Sequence, residues 1–279
     1  MKRMLKRILK KFDLEIRRIN ENHVEPVKLT QDISRLRKDL YNKYLPYFEL
    51  NDFSENDIQN IESVSSFTMT GPLRIKALLQ SVEYIVNNNI SGDIVECGVW
   101  KGGSIMLIAK KLLELGDIER NIYLYDTFEG MSEPIDIDIS HDNLSASELL
   151  VSAEAKKKEG NNVWCYSSLE EVKNNIISTG YNPKKLHFIK GKVEETLSKH
   201  LPANKLALLR LDTDWYESTK SELNYLYPLL VNKGILIIDD YGQWLGQQKA
   251  VDEYISMNNL NLFLNRIDFS SRLAIKLNN

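Results

Sequence analysis

The sequence predicts an α/β protein built on one open, mostly parallel sheet. Short apolar runs alternate with segments in which apolar residues recur at helical spacing. Two of these runs, LALLRL at 206–211 and ILII at 235–238, stop directly on acids, which are Asp212, Asp239 and Asp240. Alternating strands and helices imply parallel strands with right-handed crossovers, and such sheets bind ligands at the carboxyl ends of their strands. The sequence therefore places three carboxylates at the ligand-binding edge.

The regular alternation of elements begins near Pro72. The predicted elements, in order, are a helix at 73–86, a strand at 93–97, a helix at 104–115, and strands at 122–125, 186–190, 206–211 and 235–238. Between the last two strands, Thr219 and Glu222 have the spacing of a capping box, and Gly234 is placed to end the helix. The segments 261–268 and 271–277 flank a short turn, which predicts a hairpin that completes the sheet.

The chain has 279 residues, of which 43% are hydrophobic, and this suffices for one α/β core with a helical extension. We expect an N-terminal helical extension at 1–65, with a polar linker at 50–65, and a catalytic domain at 66–279. The first 20 residues form a basic amphipathic pattern. Such a helix packs on its own core or on a second subunit, or lies on an anionic membrane surface, and packing is the favoured interpretation.

Charge and cysteine content narrow the class of protein. Lys and Arg total 36 against 39 Asp and Glu, so a net charge of −3 provides no general field for nucleic acid. Cys97 and Cys165 stand alone, without the spacing of a disulfide framework or a zinc site. No uninterrupted apolar run approaches the roughly 20 residues of a membrane span, and no signal peptide is recognisable. The sequence therefore predicts a reduced, cytoplasmic protein.

Three clustered carboxylates repel one another unless something positive lies between them. A divalent cation is the simplest candidate, and ligands that are all oxygens favour Mg²⁺. The alternative is that Asp239 and Asp240 are only turn or helix caps. Asp214 and Glu217 lie in the same loop as Asp212, and we interpret them as supporting or solvated acids.

The strand at 93–97 leads into a glycine turn, ECGVWKGGS at 96–104. Gly98 and Gly102 are four residues apart, which does not match the G-x-G-x-x-G spacing of a dinucleotide-binding loop. Gly98 would let the backbone approach a ligand closely, and Ser104 would cap the following helix. The turn can hold a neutral or zwitterionic group, or it can be an ordinary strand-to-helix connection.

The second strand ends on Asp126, about 30 residues beyond Glu96. Nucleotide sites of α/β proteins place a carboxylate here to accept hydrogen bonds from ribose hydroxyls. This position fits any adenosine-type ligand. The alternative is a capping or solvated aspartate at the start of a loop.

Four motifs together resemble one enzyme family. ECGVWKGGS, YDTFEGM at 125–131, LDTDWYEST at 211–219 and IIDDYG at 237–242 are similar to the S-adenosylmethionine- and magnesium-dependent sugar O-methyltransferases typified by the macrocin, mycinamicin and novobiocin tailoring enzymes. The resemblance covers about Phe67 to Tyr254. It implies a class I methyltransferase (Rossmann-like) fold of seven strands with the last one antiparallel, and a homodimer or higher oligomer.

The resemblance also implies the residues of the site. Asp212, Asp239 and Asp240 would bind the metal, and Asp212 would also be the general base, with the loop residue His141 as the alternative base. The methionine part of the cofactor would lie on the glycine turn, the ribose on Asp126, the adenine near Thr127 and Val193, and one further stretch would close over the cofactor. The cofactor-binding positions are Met69, Thr70, Glu96, Gly98, Trp100, Gly102, Ser104, Asp126, Thr127 and Val193. Thr70 is alternatively a helix cap.

A long segment separates Asp126 from Leu186, and we predict that its first part is a lid over the acceptor rather than a disordered insertion. The predicted reaction is methylation of a sugar hydroxyl, on a glycosylated metabolite or a cell-surface polysaccharide precursor. Mg²⁺ would bind two adjacent hydroxyls and make one of them easier to deprotonate. The alternatives are a methyltransferase of the same fold acting on a catechol-like diol or another nucleophile, and a nucleotide-binding oxidoreductase or non-catalytic protein.

Overall fold

The computed structural model describes residues 52–159 and 162–277. The predicted basic amphipathic helix of the first 20 residues lies outside the described residues. In the two described ranges, no helix combines the length and apolar character that crossing a membrane requires.

The described chain forms one seven-stranded sheet with the strand order β3-β2-β1-β4-β5-β7-β6. The first five strands run parallel, β7 is antiparallel to β5, and β6 is antiparallel to β7. This arrangement confirms the predicted fold class and the terminal hairpin. The strands are β1 (Asp93–Cys97), β2 (Ile122–Asp126), β3 (Leu186–Lys190), β4 (Leu206–Leu211), β5 (Leu230–Ile238), β6 (Asn265–Arg266) and β7 (Arg272–Ile275).

Helices cover both faces of the sheet, because side chains alternate between the faces along each strand. On one face, Ile94 and Leu208 pack in a core with helices α2, α3 and α5. On the other face, Val95 and Leu209 pack in a core with α7 and α8. The helices are α1 (Glu55–Val64), α2 (Pro72–Asn87), α3 (Gly103–Glu114), α4 (Ala146–Ala153), α5 (Leu169–Ile177), α6 (Val193–Thr196), α7 (Tyr216–Leu226) and α8 (Leu245–Met257).

The predicted polar linker at 50–65 is wrong, because α1 occupies most of it. Ser54 caps this helix: its hydroxyl oxygen accepts from the Asp57 backbone N–H at 3.2 Å, and its own N–H donates to the Asp57 carboxylate at 2.8 Å. Val64, at the end of the helix, is fully buried in the core. The reciprocal cap, the buried Val64 and the partly buried Ile61 together hold the helix against the core.

The predicted capping box of α7 is also wrong. The helix begins at Tyr216, so Thr219 lies inside it, and both Thr219 and Glu222 are fully buried. The Tyr216 N–H instead donates to Asp138 at 2.9 Å, an acid from a distant part of the chain. At the other end, Pro228 follows the last helical turn and β5 starts at Leu230, so Gly234 lies within the strand.

The turns that follow β1 and β4 approach each other closely at Gly98. Its φ is +81°, and a Cβ built there would lie 1.9 Å from the backbone oxygen of Asp212. Next to this approach, the Asp212 N–H donates to the Cys97 oxygen at 2.8 Å. The backbone of Asp212 therefore occupies the space that a side chain at position 98 would need. The absence of a Cβ at Gly98 lets the two turns lie this close together.

Replacing Gly98 by alanine is expected to destabilise the protein severely. The Cβ meets backbone that cannot move without separating β1 from β4, and the left-handed φ adds strain, so we expect a loss of about 3 kcal/mol or more. Urea denaturation measures the loss. Gly116→Ala is the matched control, since Gly116 has a φ of +74° but no described atom within 4 Å of its built Cβ. The control should lose only about 1–2 kcal/mol, and equal losses would contradict the close-approach argument.

Candidate active site

A cavity of about 290 Å³ opens at the carboxyl ends of β1, β2, β4 and β5. This edge includes the switch point between β1 and β4, where the chain turns to opposite sides of the sheet. All three predicted metal ligands lie on its wall, as do nine of the ten predicted cofactor positions. The nine are Met69, Thr70, Glu96, Gly98, Trp100, Ser104, Asp126, Thr127 and Val193.

Gly102, the tenth position, has a different place. It is the N-cap of α3 with a left-handed φ of +88°, and a Cβ there would lie 3.1 Å from Ile176 in α5. Ser104 was expected to cap this helix but lies inside its first turn, where it is buried on the cavity wall. The adjacent Gly103 N–H donates to the Phe67 oxygen at 3.0 Å. This bond fastens the stretch that contains Met69 and Thr70 to the glycine turn.

Asp126 fixes the shape of the glycine turn. Its carboxylate accepts from the backbone N–H groups of Val99 at 2.6 Å, Trp100 at 3.2 Å and Phe128 at 2.6 Å. Burial raises the pKa of Asp126, while these three donors act in the opposite direction. The structure thus gives Asp126 the capping role considered from the sequence, together with a place on the cavity wall. Its contact with ribose stays a prediction.

Glu96 presents an unpaired carboxylate oxygen in the interior. Its side chain is 1% exposed, its Oε1 accepts from Arg210, and its Oε2 has no hydrogen-bond partner in the described part of the chain. Burial raises the pKa of Glu96 to about 7, against the opposing effect of Arg210. A buried acceptor without a partner is costly, so a ligand that brings a donor gains affinity here. The ammonium group of a methionine-type cofactor is such a donor.

The three predicted metal ligands meet as the sequence indicated. Asp212 follows β4, Asp239 and Asp240 follow β5, and one oxygen of each lies within 4.8 Å of the others. Asp214 joins them through a side-chain hydrogen bond with Asp240. Asp214 is therefore a member of the cluster and is not a solvated acid. Glu217, the other acid of this loop, is exposed.

Two arginines that the sequence analysis did not single out lie against this acidic cluster. The Arg74 Nη1 donates to Asp239 Oδ2 at 2.5 Å, and its Nε donates to Asp268 at 2.7 Å. The Arg210 Nη1 donates to Asp212 Oδ2 at 2.6 Å, and its Nη2 lies 2.8 Å from Asp239 Oδ1 without hydrogen-bond geometry. Both oxygens of Asp239 thus face a guanidinium. The alternative that Asp239 is merely a turn cap is wrong.

The arginines divide the cluster into acids of unlike pKa. Although burial opposes it, Arg210 and Arg74 lower the pKa of Asp239. Burial and the neighbouring acids raise the pKa of Asp212 and of Asp240 well above the usual value, and burial raises the pKa of Asp214 to about 7. Carboxyl groups that contact one another in pairs must share protons. A divalent cation would take the place of those protons, and the all-oxygen donor set fits Mg²⁺.

A signal for Arg210 was present in the sequence. It is the one charged residue in the run LALLRL, and a charge in a buried strand requires a partner. Arg74 gave no comparable signal, because an arginine in the first turns of an amphipathic helix is usually solvated. The alternative that Thr70 caps α2 is wrong: the N-cap is Gly71, and the Thr70 hydroxyl accepts from Arg210 Nη2 at 3.2 Å.

The segment after β2 forms part of the cavity wall through Met131, Ser132 and Cys165. It contains α4 and α5, and it packs on Trp215 and Trp244. The rings of these two tryptophans are arranged edge-to-face, with their centroids 4.9 Å apart. For the described residues of this segment, the alternative of a disordered insertion is wrong. Its role as a lid over the acceptor stays a prediction.

Only one of the two candidate bases lies at the cavity. Asp212 is on the wall, with 26% of its side chain exposed. His141 is an exposed residue whose backbone N–H donates to the Gln243 oxygen at 3.0 Å, and it is not part of the described cavity wall.

The seven-stranded order with a terminal antiparallel strand, and a cavity at the carboxyl ends of the parallel strands, define a class I methyltransferase. The sequence model of the family described as Macrocin-O-methyltransferase (TylF) matches residues 20–273. The chain belongs to this family, and it is an O-methyltransferase.

Individual relatives are also O-methyltransferases. The demethyldecarbamoylnovobiocin O-methyltransferase of Streptomyces niveus is 32% identical over 247 residues, which are 83% of this chain and 89% of the relative. The 8-demethyl-8-(2,3-dimethoxy-alpha-L-rhamnosyl)-tetracenomycin-C 4'-O-methyltransferase of Streptomyces olivaceus is 36% identical over 174 residues, which are 62% of each chain. The solved structure of the O-methyltransferase NovP superposes with a TM-score of 0.64 at 30% identity, and covers 76% of this chain and 83% of its own.

Asp138 is expected to hold the segment after β2 in place. It is 2% exposed, and its carboxylate accepts from the N–H groups of Ile135 at 2.8 Å and Tyr216 at 2.9 Å. Asp138→Ala removes both acceptors and should cost about 2 kcal/mol locally. Hydrogen exchange should therefore quicken in 131–153 while β1 and β4 stay protected. Asp136→Ala, at an exposed neighbouring residue, is the control. Unchanged exchange in the Asp138 variant would refute the anchoring role.

Proposed function

We propose that the protein is an S-adenosylmethionine- and Mg²⁺-dependent O-methyltransferase that methylates a sugar hydroxyl of a glycosylated metabolite or of a cell-surface polysaccharide precursor. The observation that carries this proposal is the acidic cluster of Asp212, Asp239 and Asp240 beside a cavity wall with an unpaired buried Glu96 oxygen. The name of the Streptomyces olivaceus relative specifies a rhamnosyl-bearing acceptor, which supports the sugar class.

The cofactor would lie along the wall formed by the turns after β1 and β2. Glu96 Oε2 would accept from the ammonium group of its methionine part, and Asp126 keeps lone pairs for ribose hydroxyls after accepting from three backbone groups. Val193 and Thr127 lie on the same wall, where the adenine is expected. S-adenosylmethionine supplies the methyl group.

The cation would be held by Asp212, Asp239 and Asp240. When bound, Mg²⁺ supplies a Lewis acid and a template for two adjacent hydroxyls of the acceptor. Asp212 would accept the proton of the attacking hydroxyl, because it lies on the cavity wall beside the other two acids with 26% of its side chain exposed. The acceptor oxygen would receive the methyl group, and S-adenosylhomocysteine would be the leaving product.

Four further features are proposed from the resemblance and the composition. They are a division into an N-terminal extension at 1–65, whose α1 packs on the catalytic core through Val64, and a catalytic domain at 66–279; a homo-oligomer that is at least a homodimer; a cytoplasmic location; and packing of the basic N-terminal segment in the oligomer in preference to peripheral membrane contact.

Asp212→Asn should abolish turnover, with a loss of roughly a thousandfold or more in kcat, because one residue serves as proton acceptor and ligand. S-adenosylhomocysteine affinity, measured by calorimetry, should stay within about twofold of the wild-type value, well under the tenfold that corresponds to 1.4 kcal/mol. Glu217→Gln is the control, since Glu217 is an exposed acid of the same loop. Full activity of the Asp212 variant would refute its assigned role.

Stabilisation by Mg²⁺ should depend on pH. In the cation-free fold, Asp212, Asp214 and Asp240 have raised pKa values, so their protons leave at higher pH than in the unfolded chain and stability falls as pH rises through about 7, the pKa of Asp214. Mg²⁺ must displace those protons. Its apparent affinity therefore falls about tenfold, for each proton displaced, with every unit by which the pH is lowered.

Thermal unfolding at pH 8 and pH 5.5, with and without Mg²⁺, measures this effect. Mg²⁺ should raise Tm clearly at pH 8 and little at pH 5.5, whereas NaCl at matched ionic strength should do neither. A shift of the same size at both pH values would contradict binding at these acids.

The acceptor class requires a separate assay. Purified protein with S-adenosylmethionine and Mg²⁺ should methylate nucleotide sugars, glycosides or isolated glycans that carry adjacent free hydroxyls, and a chelator should stop the reaction. Mass spectrometry of the product identifies the methylated sugar. Methylation of catechols without methylation of any glycosyl acceptor would overturn the sugar class and favour the catechol-like alternative.

A further inference from the structure

One guanidinium contacts both halves of the site. The Arg210 side chain is 2% exposed, and its Nη1 donates to Glu96 and also to Asp212 Oδ2 at 2.6 Å. Its Nη2 donates to Thr70 at 3.2 Å and lies 2.8 Å from Asp239 Oδ1. Glu96 and Thr70 belong to the cofactor side, and the two aspartates belong to the cation side.

The sheet register makes this arrangement unavoidable. Glu96 in β1 is the partner of Arg210 in β4 across the parallel ladder, so the two side chains share one face. Asp212 lies two residues beyond Arg210, at the point where β4 ends. Because successive side chains alternate, Arg210 and Asp212 also lie on the same side. The chain thus inserts one positive charge between two acids with different tasks.

We propose that Arg210 is a positioning residue that links the cofactor and cation subsites, an inference that rests on the proposed function. The two N–H groups of Nη1 donate to Glu96 Oε1 and to Asp212 Oδ2, so the position of one guanidinium is set by both carboxylates at once. If Asp212 Oδ2 turned toward a bound cation, the guanidinium would be free to move toward Glu96, and the unpaired Oε2 would be held more firmly for the cofactor. Each ligand therefore strengthens the binding of the other, by the same factor in both directions.

An arginine is required for this role. Its planar guanidinium presents five N–H donors in a fixed fork, whereas a lysine ammonium is a point charge that keeps the positive sign but cannot bridge separated acceptors in that plane. Arg210→Lys therefore preserves the charge and removes the link.

The test compares binding, and needs no turnover. Calorimetry measures S-adenosylhomocysteine affinity with and without Mn²⁺, and Mn²⁺ affinity with and without S-adenosylhomocysteine. In the wild-type protein each ligand should tighten the other at least threefold. In Arg210→Lys, the affinity for each ligand alone should fall about tenfold, which equals 1.4 kcal/mol. The mutual factor, meaning the factor by which one ligand tightens the binding of the other, should approach one.

Arg120→Lys is the matched control. The Arg120 side chain is 11% exposed and pairs with Asp117 at 2.7 Å, before β2 and therefore at the opposite edge of the sheet. This variant carries the same chemical change in a similarly buried arginine. It should change thermal stability while it leaves the two affinities and the mutual factor at wild-type values.

A second pair of variants keeps the test decisive if Arg210→Lys does not fold. Glu96→Gln removes the charge that holds the guanidinium on the cofactor side, so Arg210 should be drawn toward Asp212 and Mn²⁺ affinity should fall at least threefold, although residue 96 is no proposed cation ligand. Glu194→Gln is its control, because Glu194 is another cavity-lining acid with an unpaired buried oxygen among the described residues, and no hydrogen bond or ion pair of the described residues joins it to Arg210. If both variants lowered Mn²⁺ affinity equally, the effect would be a simple loss of negative charge near the cation, and the proposed link through Arg210 would be overturned.

The outcomes separate the two levels of inference. Failure of the wild-type protein to bind S-adenosylhomocysteine or Mn²⁺ overturns the proposed function. Binding of both ligands without mutual tightening, or mutual tightening that survives in Arg210→Lys, overturns the role of Arg210 and leaves the proposed function standing.

Discussion

The buried guanidinium of Arg210 is the interaction on which the site depends. Five of the acids that line the cavity come from the ends of three strands, namely Glu96, Asp212, Asp214, Asp239 and Asp240. Charges removed from water must be paired, and removing one partner of a buried pair costs roughly 3–5 kcal/mol. Arg210 from the sheet and Arg74 from α2 supply the two positive charges in contact with these acids among the described residues. The remaining excess of negative charge is what suits the site to a cation.

The same pairing divides chemical roles among similar side chains. Asp239 faces both arginines and keeps a lowered pKa, so it is ionised. Asp212 is held by one arginine beside other acids, and burial together with those acids raises its pKa in the cation-free site. Identical carboxylates thus differ because burial and arginine contacts differ, and the order of residues along β4 and β5 fixes those contacts.

Much of the fold could be read from the sequence, because local patterns encode it. The limits of β1, β3 and β4 agree with the predicted strands residue for residue, and α2 differs by one residue at each end. Buried parallel strands are continuous apolar runs, and their edges are therefore sharp. The errors arose where a remote partner decided the local structure: Asp138 replaces the expected cap of α7, and Val64 holds α1 to the core.

For the site, the sequence by itself determined that three aspartates end neighbouring strands and that a glycine turn precedes them, since strand ends of a parallel sheet share one edge. Only the tertiary structure decided how their charges are balanced. That balance depends on Arg74, 165 residues from Asp239 along the chain, and on the close approach of the Asp212 backbone, which leaves no room for a Cβ at position 98. Periodicity reports which face a residue occupies. It carries no information about which distant side chain will lie opposite, because that is set by the packing of the whole sheet.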